Sequence, residues 1–236
     1  MSLFPRLLFD TNALVYLYKL GLLKVCVGAV AKPCTSDLIV TEMKKNLRWE
    51  DVEPYGMQIC TLTSEMMTEV EAVKRGPPTL SICDASLIVL AKKYGIPVFT
   101  DDGTVVKVMS SQEIRHVSLP EMVDSLVNVG KISYEEAVPA FGRIYTEFLP
   151  RYATKNYPEI LEKYPETMEI MEKYPTILET LNPENNRENR EILEKYPKIQ
   201  AKYQKIWTKY QEILEKYMRR RIIRRLWRSI RRFWRL

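Results

Sequence analysis

The chain has 236 residues with 36 basic and 30 acidic side chains, a net charge of +6, four cysteines and one histidine. That length allows one generous domain, or a domain with an extension, and either can bury a core. Cys26, Cys34, Cys60 and Cys83 form no CxxC pair and His116 stands alone, so zinc ligation and histidine catalysis lack support and carboxylates are the available chemistry.

From the N-terminus, Arg6 to Asp10 reads as a buried strand ending in an acid, and Thr11-Asn12 opens an apolar helix from Ala13 to about Leu20. Asp10 is a strand-end carboxylate, equally suited to capping the helix entry. A short strand follows near Pro33 and Cys34. Ser36 then caps a helix expected over 37–47, with Glu42 and Asn46 one turn apart on its sheltered flank. A strand over 58–62, a helix over 64–74 and the basic loop Lys74-Arg75-Gly76-Pro77-Pro78 come next.

The most informative stretch runs from Leu80 to Lys107. Ser81 caps a helix that reaches Tyr94, with Gly95 taking the left-handed turn that ends it and a buried strand over 97–100 beyond. Leu87, Ile88, Leu90, Ala91 and Tyr94 fall on one face of that helix, and Asp84 projects from it. A carboxylate there is capped, paired or metal-bound, because an isolated buried charge is costly; complementing the helix dipole is the simpler role. The strand ends at Thr100-Asp101-Asp102-Gly103, two acids before a turn residue. A helix over 104–110, a strand over 115–118, a helix from Pro120 and another after Ser133, with Glu136 completing a capping box, complete the series. Strand alternating with helix predicts a parallel sheet covered on both faces, in a domain ending near Pro150.

Three blocks in this order, LLFDTNALVYL, CTSDLIVTEMKKN and LSICDASLIVLAKKYGIPVFTDDG, resemble the PIN-domain nucleases, VapC-like and archaeal members included, over about the first 148 residues. The resemblance implies a PIN-like α/β fold and a catalytic set of Asp10, Glu42, Asp84 and Asp102. It further implies Mg²⁺ or Mn²⁺ held by Asp10, Asp84, Asp101 and Asp102, with Thr11, Asn12, Asn46 and Thr100 in support. Crowded carboxylates repel one another unless a divalent cation neutralises them, and a metal-bound water can attack a phosphodiester without a histidine. The expected activity is metal-dependent endoribonucleolytic hydrolysis of RNA, toxin-like and with an antitoxin partner. The alternative is a non-catalytic RNA-binding or membrane-associated scaffold that retains the fold. The zinc ribbon of the family's ribosomal-RNA-trimming members is missing here.

Beyond residue 150 the chain changes character. Residues 1–150 carry 15 basic and 18 acidic side chains, whereas residues 151–236 carry 21 and 12. Over 151–217, Tyr196, Tyr203, Tyr210 and Tyr217 keep heptad spacing, with Ile199, Ile206 and Ile213 three residues on, which predicts a helical extension that packs against a partner helix, as in a homo-oligomer, or against the first domain. Pro158, Pro165, Pro175 and Pro197 break it into short helices. The segment 218–236 forms an amphipathic pattern. Arg224, Arg225, Arg228, Arg231, Arg232 and Arg235 lie on one side, with Trp227, Phe233 and Trp234 on the other. RNA phosphates, an anionic membrane surface and a partner protein all suit it. With neither a leader nor a transmembrane stretch in the sequence, the expected location is cytoplasmic, at most peripheral to a membrane.

Overall fold

The computed structural model describes residues 2–43, 47–149 and 158–167. The chain divides into two compact units, Met1–Ile144 and Tyr145–Leu236. In the first, five strands form one parallel sheet: β1 (Leu7–Phe9), β2 (Pro33–Ser36), β3 (Gln58–Cys60), β4 (Val98–Phe99) and β5 (His116–Val117), in the order β3-β2-β1-β4-β5. Parallel neighbours need long crossovers, which helices supply. The helices between strands are α1 (Thr11–Leu20), α2 (Leu23–Val27), α3 (Asp37–Glu42), α4 (Ser64–Lys74), α5 (Ile82–Tyr94) and α6 (Gly103–Ser111), and α7 (Leu119–Asn128) and α8 (Tyr134–Arg143) follow the last strand. The predicted α/β class, a parallel sheet flanked by helices, is what the unit adopts.

The strand order reverses at β1, which pairs with β2 on one side and β4 on the other. Leu8 lies beside Val98 and Phe9 beside Phe99, whose rings meet edge to face at 5.5 Å. In open parallel sheets such a reversal leaves a crevice at the carboxyl ends of the strands. Asp10 and Thr100, the next residues of β1 and β4, are therefore side by side at its mouth.

Helix α5 is the core element. Ser81 accepts the Asp84 N–H while the Asp84 carboxylate accepts the Ser81 N–H, a reciprocal capping box, and Gly95 closes the helix at φ 64°. Every residue from Ala85 to Ala91 is buried, so the expected single apolar face is instead an apolar circumference packed against α3, α4, α6, β2 and β4. Tyr94 is exposed rather than on that face, and its ring lies 5.1 Å from the guanidinium of Arg6.

Helix α3 departs most from expectation. It ends at Glu42, where Met43 turns out of helical geometry at ψ 66°, instead of running to Leu47. The short helix α2 and two 3₁₀ turns, Trp49–Asp51 and Glu53–Tyr55, were not foreseen. Beyond α8 come the π-helix Ile144–Phe148 and, in the second unit, α9 (Pro158–Lys163), which starts on one proline and stops ahead of Pro165. The tyrosine heptads and the whole of 218–236 lie outside the described residues. Among the described residues no helix is long and apolar enough to cross a membrane.

Replacing the fully buried Ile88 with Ala should cost about 2–5 kcal/mol, while the same change at the exposed Ile82 should stay within about 0.5 kcal/mol. Urea unfolding of both variants against the parent checks the ranking.

Candidate functional site

The crevice at the β1–β4 reversal gathers the acids that the sequence singles out, and each has a structural task. Asp10 is buried, and its Oδ2 accepts the Thr100 hydroxyl at 2.9 Å. The same Thr100 oxygen accepts the Asp102 N–H at 3.2 Å, so one hydroxyl links the ends of both strands. Asp102 caps α6, its Oδ1 accepting the Thr104 and Val105 N–H groups at 2.8 and 3.0 Å. Asp101 turns away, and its Oδ2 accepts the Leu119 N–H at the start of α7 at 3.0 Å. Asp84 Oδ2 accepts the Ser81 N–H at 2.8 Å. Glu42, at the exposed end of α3, accepts the Thr11 hydroxyl at 3.0 Å, and Asn12 is exposed on α1. Asn46 lies outside the described residues, as do Arg224, Arg225, Trp227, Arg228, Arg231, Arg232, Trp234 and Arg235.

These groups feel one another's charge. Burial pushes the Asp10 carboxyl up to about 7; the Thr100 hydrogen bond opposes this, and the charges of Asp84 and Asp102 add to it. Burial, followed by Glu42, Asp84 and Asp10, pushes the Cys83 thiol up to about 12. Electrostatic reach is not ligating geometry. Among the described residues, no group of three or more His, Cys, Asp or Glu side chains is placed to hold a metal ion. The expected Mg²⁺ or Mn²⁺ site on Asp10, Asp84, Asp101 and Asp102 is corrected by that finding. The metal-dependent endoribonuclease built on Asp10, Glu42, Asp84 and Asp102, with its hydrolase and toxin-like character, is corrected with it. The physical reason is visible in the hydrogen bonds: Asp84, Asp101 and Asp102 are drawn to backbone N–H groups at three different helix starts.

The chain matches no protein-family model, no curated protein and no solved structure. The class that the fold defines is therefore the α/β parallel-sheet class, with its strand reversal at β1.

A second polar cluster escaped the sequence reading. Arg6, just before β1, directs Nη2 to the Cys60 sulfur at 3.3 Å, and Cys34 donates to the Leu7 carbonyl at 3.4 Å. Cys34 and Cys60 act on each other across the two strands, Cys60 raising the Cys34 thiol and Cys34 lowering that of Cys60. Cys34 and Cys60 are 26 positions apart in sequence, and only the β2–β3 register, with Ser36 opposite Cys60, brings them onto one face.

Because Asp10 holds its proton more tightly in the folded chain than in the unfolded one, its contribution to stability is complete below pH 4 and fades as pH rises through about 7. Asp10→Asn removes that titration while its amide oxygen can still accept from Thr100. Relative to the parent, the variant should gain roughly 1 to 4 kcal/mol between pH 4 and pH 8, as read by denaturant midpoints across that range. A difference independent of pH would contradict the buried-carboxyl account.

Proposed function

We propose that this protein is a non-catalytic RNA-binding scaffold that keeps a PIN-like α/β domain and engages RNA through its arginine-rich C-terminal segment. The observation that carries this reading is the segregation of charge. Nine arginines follow Lys216 with no acid among them, while residues 1–150 carry more acids than bases. A single-sign run of this density is attracted to phosphates, and each phosphate neutralised releases counterions. Trp227, Phe233 and Trp234 share the side opposite the arginines, and aromatic rings beside a cationic stripe suit unpaired bases, which stack on them irrespective of sequence. The tyrosine heptads upstream supply a pairing stripe through which copies of the chain associate.

The acids at the strand reversal support a framework role, since Asp84 and Asp102 cap α5 and α6 and Asp101 anchors the entry to α7. Those carboxylates hold the domain in shape, and the tail makes the contact with nucleic acid.

Full-length protein and a form lacking residues 219–236 are compared for affinity to single-stranded RNA across a salt series, and for co-sedimentation with anionic vesicles. Truncation should weaken RNA binding by at least about tenfold. The full-length affinity should fall with salt at a slope of about −0.7 per phosphate contacted, and the RNA should be recovered intact. Unchanged RNA affinity together with lost vesicle binding would overturn the RNA reading in favour of a membrane one.

A further inference from the structure

Cysteine chemistry depends on whether the thiolate is available, and the four cysteines sit in four different electrostatic surroundings. Cys26 is fully buried in α2, and burial alone pushes its thiol up. Cys83 is the most exposed of the four, yet Glu42, Asp84 and Asp10 face it and its sulfur donates to the Leu38 carbonyl at 3.6 Å. Cys60 is different. It closes the three-residue edge strand β3, its sulfur accepts from the Arg6 guanidinium at 3.3 Å, and Cys34 on β2 is its neighbour on the same face of the sheet. The groups that face Cys60 are thus one cation, one thiol and, further off, the Asp37 carboxylate. Cys34, reinforced by Arg6, holds Cys60 below the usual thiol range, against burial and Asp37. The partner thiol Cys34 is driven upward by Cys60 and by burial, and its S–H is donated to the Leu7 carbonyl.

We infer that Cys60 and Cys34 form a hydroperoxide-reactive thiol pair, in which Cys60 is the nucleophile and Cys34 resolves it into a disulfide joining β2 to β3. In the first step the Cys60 thiolate attacks one peroxide oxygen, so that the S–O bond forms, the O–O bond breaks and the leaving hydroxide takes a proton to become water. The sulfur is oxidised by two electrons to a sulfenic acid while the peroxide is reduced. In the second step Cys34 sulfur attacks Cys60 sulfur. The S–S bond forms, the S–O bond breaks, and the departing hydroxide leaves as water with the Cys34 proton. The register sets Cys34 diagonally across from Cys60, one strand away and two residues off the direct pair, so closure needs a small backbone shift. Strand β3 is paired on one side only, which leaves it room to make that shift.

This makes an ordering that exposure alone would reverse: the nearly buried Cys60, at 7% exposure, reacts ahead of the more accessible Cys83. Full-length protein is treated with hydrogen peroxide at neutral pH, quenched at intervals, and its cysteine peptides are followed by mass spectrometry with a sulfenic-acid trap. Cys60 should acquire the trap first and then pair with Cys34, about tenfold faster than Cys83 or Cys26 is modified. Cys34→Ser should stop the reaction at a long-lived, trappable Cys60 sulfenic acid, and Arg6→Gln should slow the first step. The wild-type peptide map decides the matter even if a variant fails to fold. Oxidation of Cys83 ahead of Cys60, or trap-labelled Cys60 that never pairs with Cys34 in the wild type, would overturn the inference.

Discussion

The hydroxyl of Thr100 holds the centre of the first unit together. It donates to a carboxyl buried at the end of β1 and accepts the N–H that begins the turn into α6, joining two strands that are 90 residues apart in sequence. The arrangement follows from register. Once Phe9 pairs with Phe99, the next residue of each strand must meet its counterpart at the mouth of the reversal. A carboxyl in that position is expensive to keep charged, since burial strips its hydration, and the Thr100 hydroxyl and the Thr11 backbone only partly offset the loss. The surrounding structure answers by protonating Asp10 more readily and by giving each neighbouring acid a helix start to cap.

Those helix starts explain why the acids collect near one another without converging. A helix N-terminus presents unpaired N–H groups and a partial positive charge, and Asp is among the residues best able to satisfy them. Asp84 and Asp102 occupy such positions, and Asp101 reaches the N–H of Leu119 at the next helix. In a parallel sheet the helices that directly follow strands start at the same end of the sheet, as α6 and α7 do after β4 and β5, and α5 begins after α4. Acids serving separate helices are then neighbours as a by-product of topology.

Much of the fold was legible because local signals agreed with the global pattern. The bounds of α4 match the apolar periodicity from Ser64 to Lys74, and α5 starts and stops where Ser81 and Gly95 require. What was not legible depends on geometry that only tertiary structure sets. The early end of α3 follows no glycine or proline, so nothing in the local sequence marks Glu42 as its last residue. The burial of α5 on all sides was hidden because Ser86 reads as polar, yet its hydroxyl lies 2.7 Å from that of Ser36 and needs no solvent. At the candidate site, the types and order of the acids are legible in the sequence but the direction of their oxygens, which decides between ligating an ion and capping a helix, is not. The Arg6–Cys60–Cys34 cluster was invisible for the complementary reason: its members are ordinary strand residues until the register of β1, β2 and β3 is known.

The carboxylates at the strand reversal act as framework groups, committed to backbone donors and to Thr100. Calorimetric titration of the full-length protein with Mn²⁺, paired with thermal unfolding at rising Mn²⁺, tests that role most directly, because a ligand bound to the folded state must raise its stability as concentration passes the dissociation constant. No saturable binding and an unchanged midpoint are expected. Stoichiometric, saturable binding that stabilises the fold and is lost in both Asp10→Asn and Asp84→Asn would contradict that role.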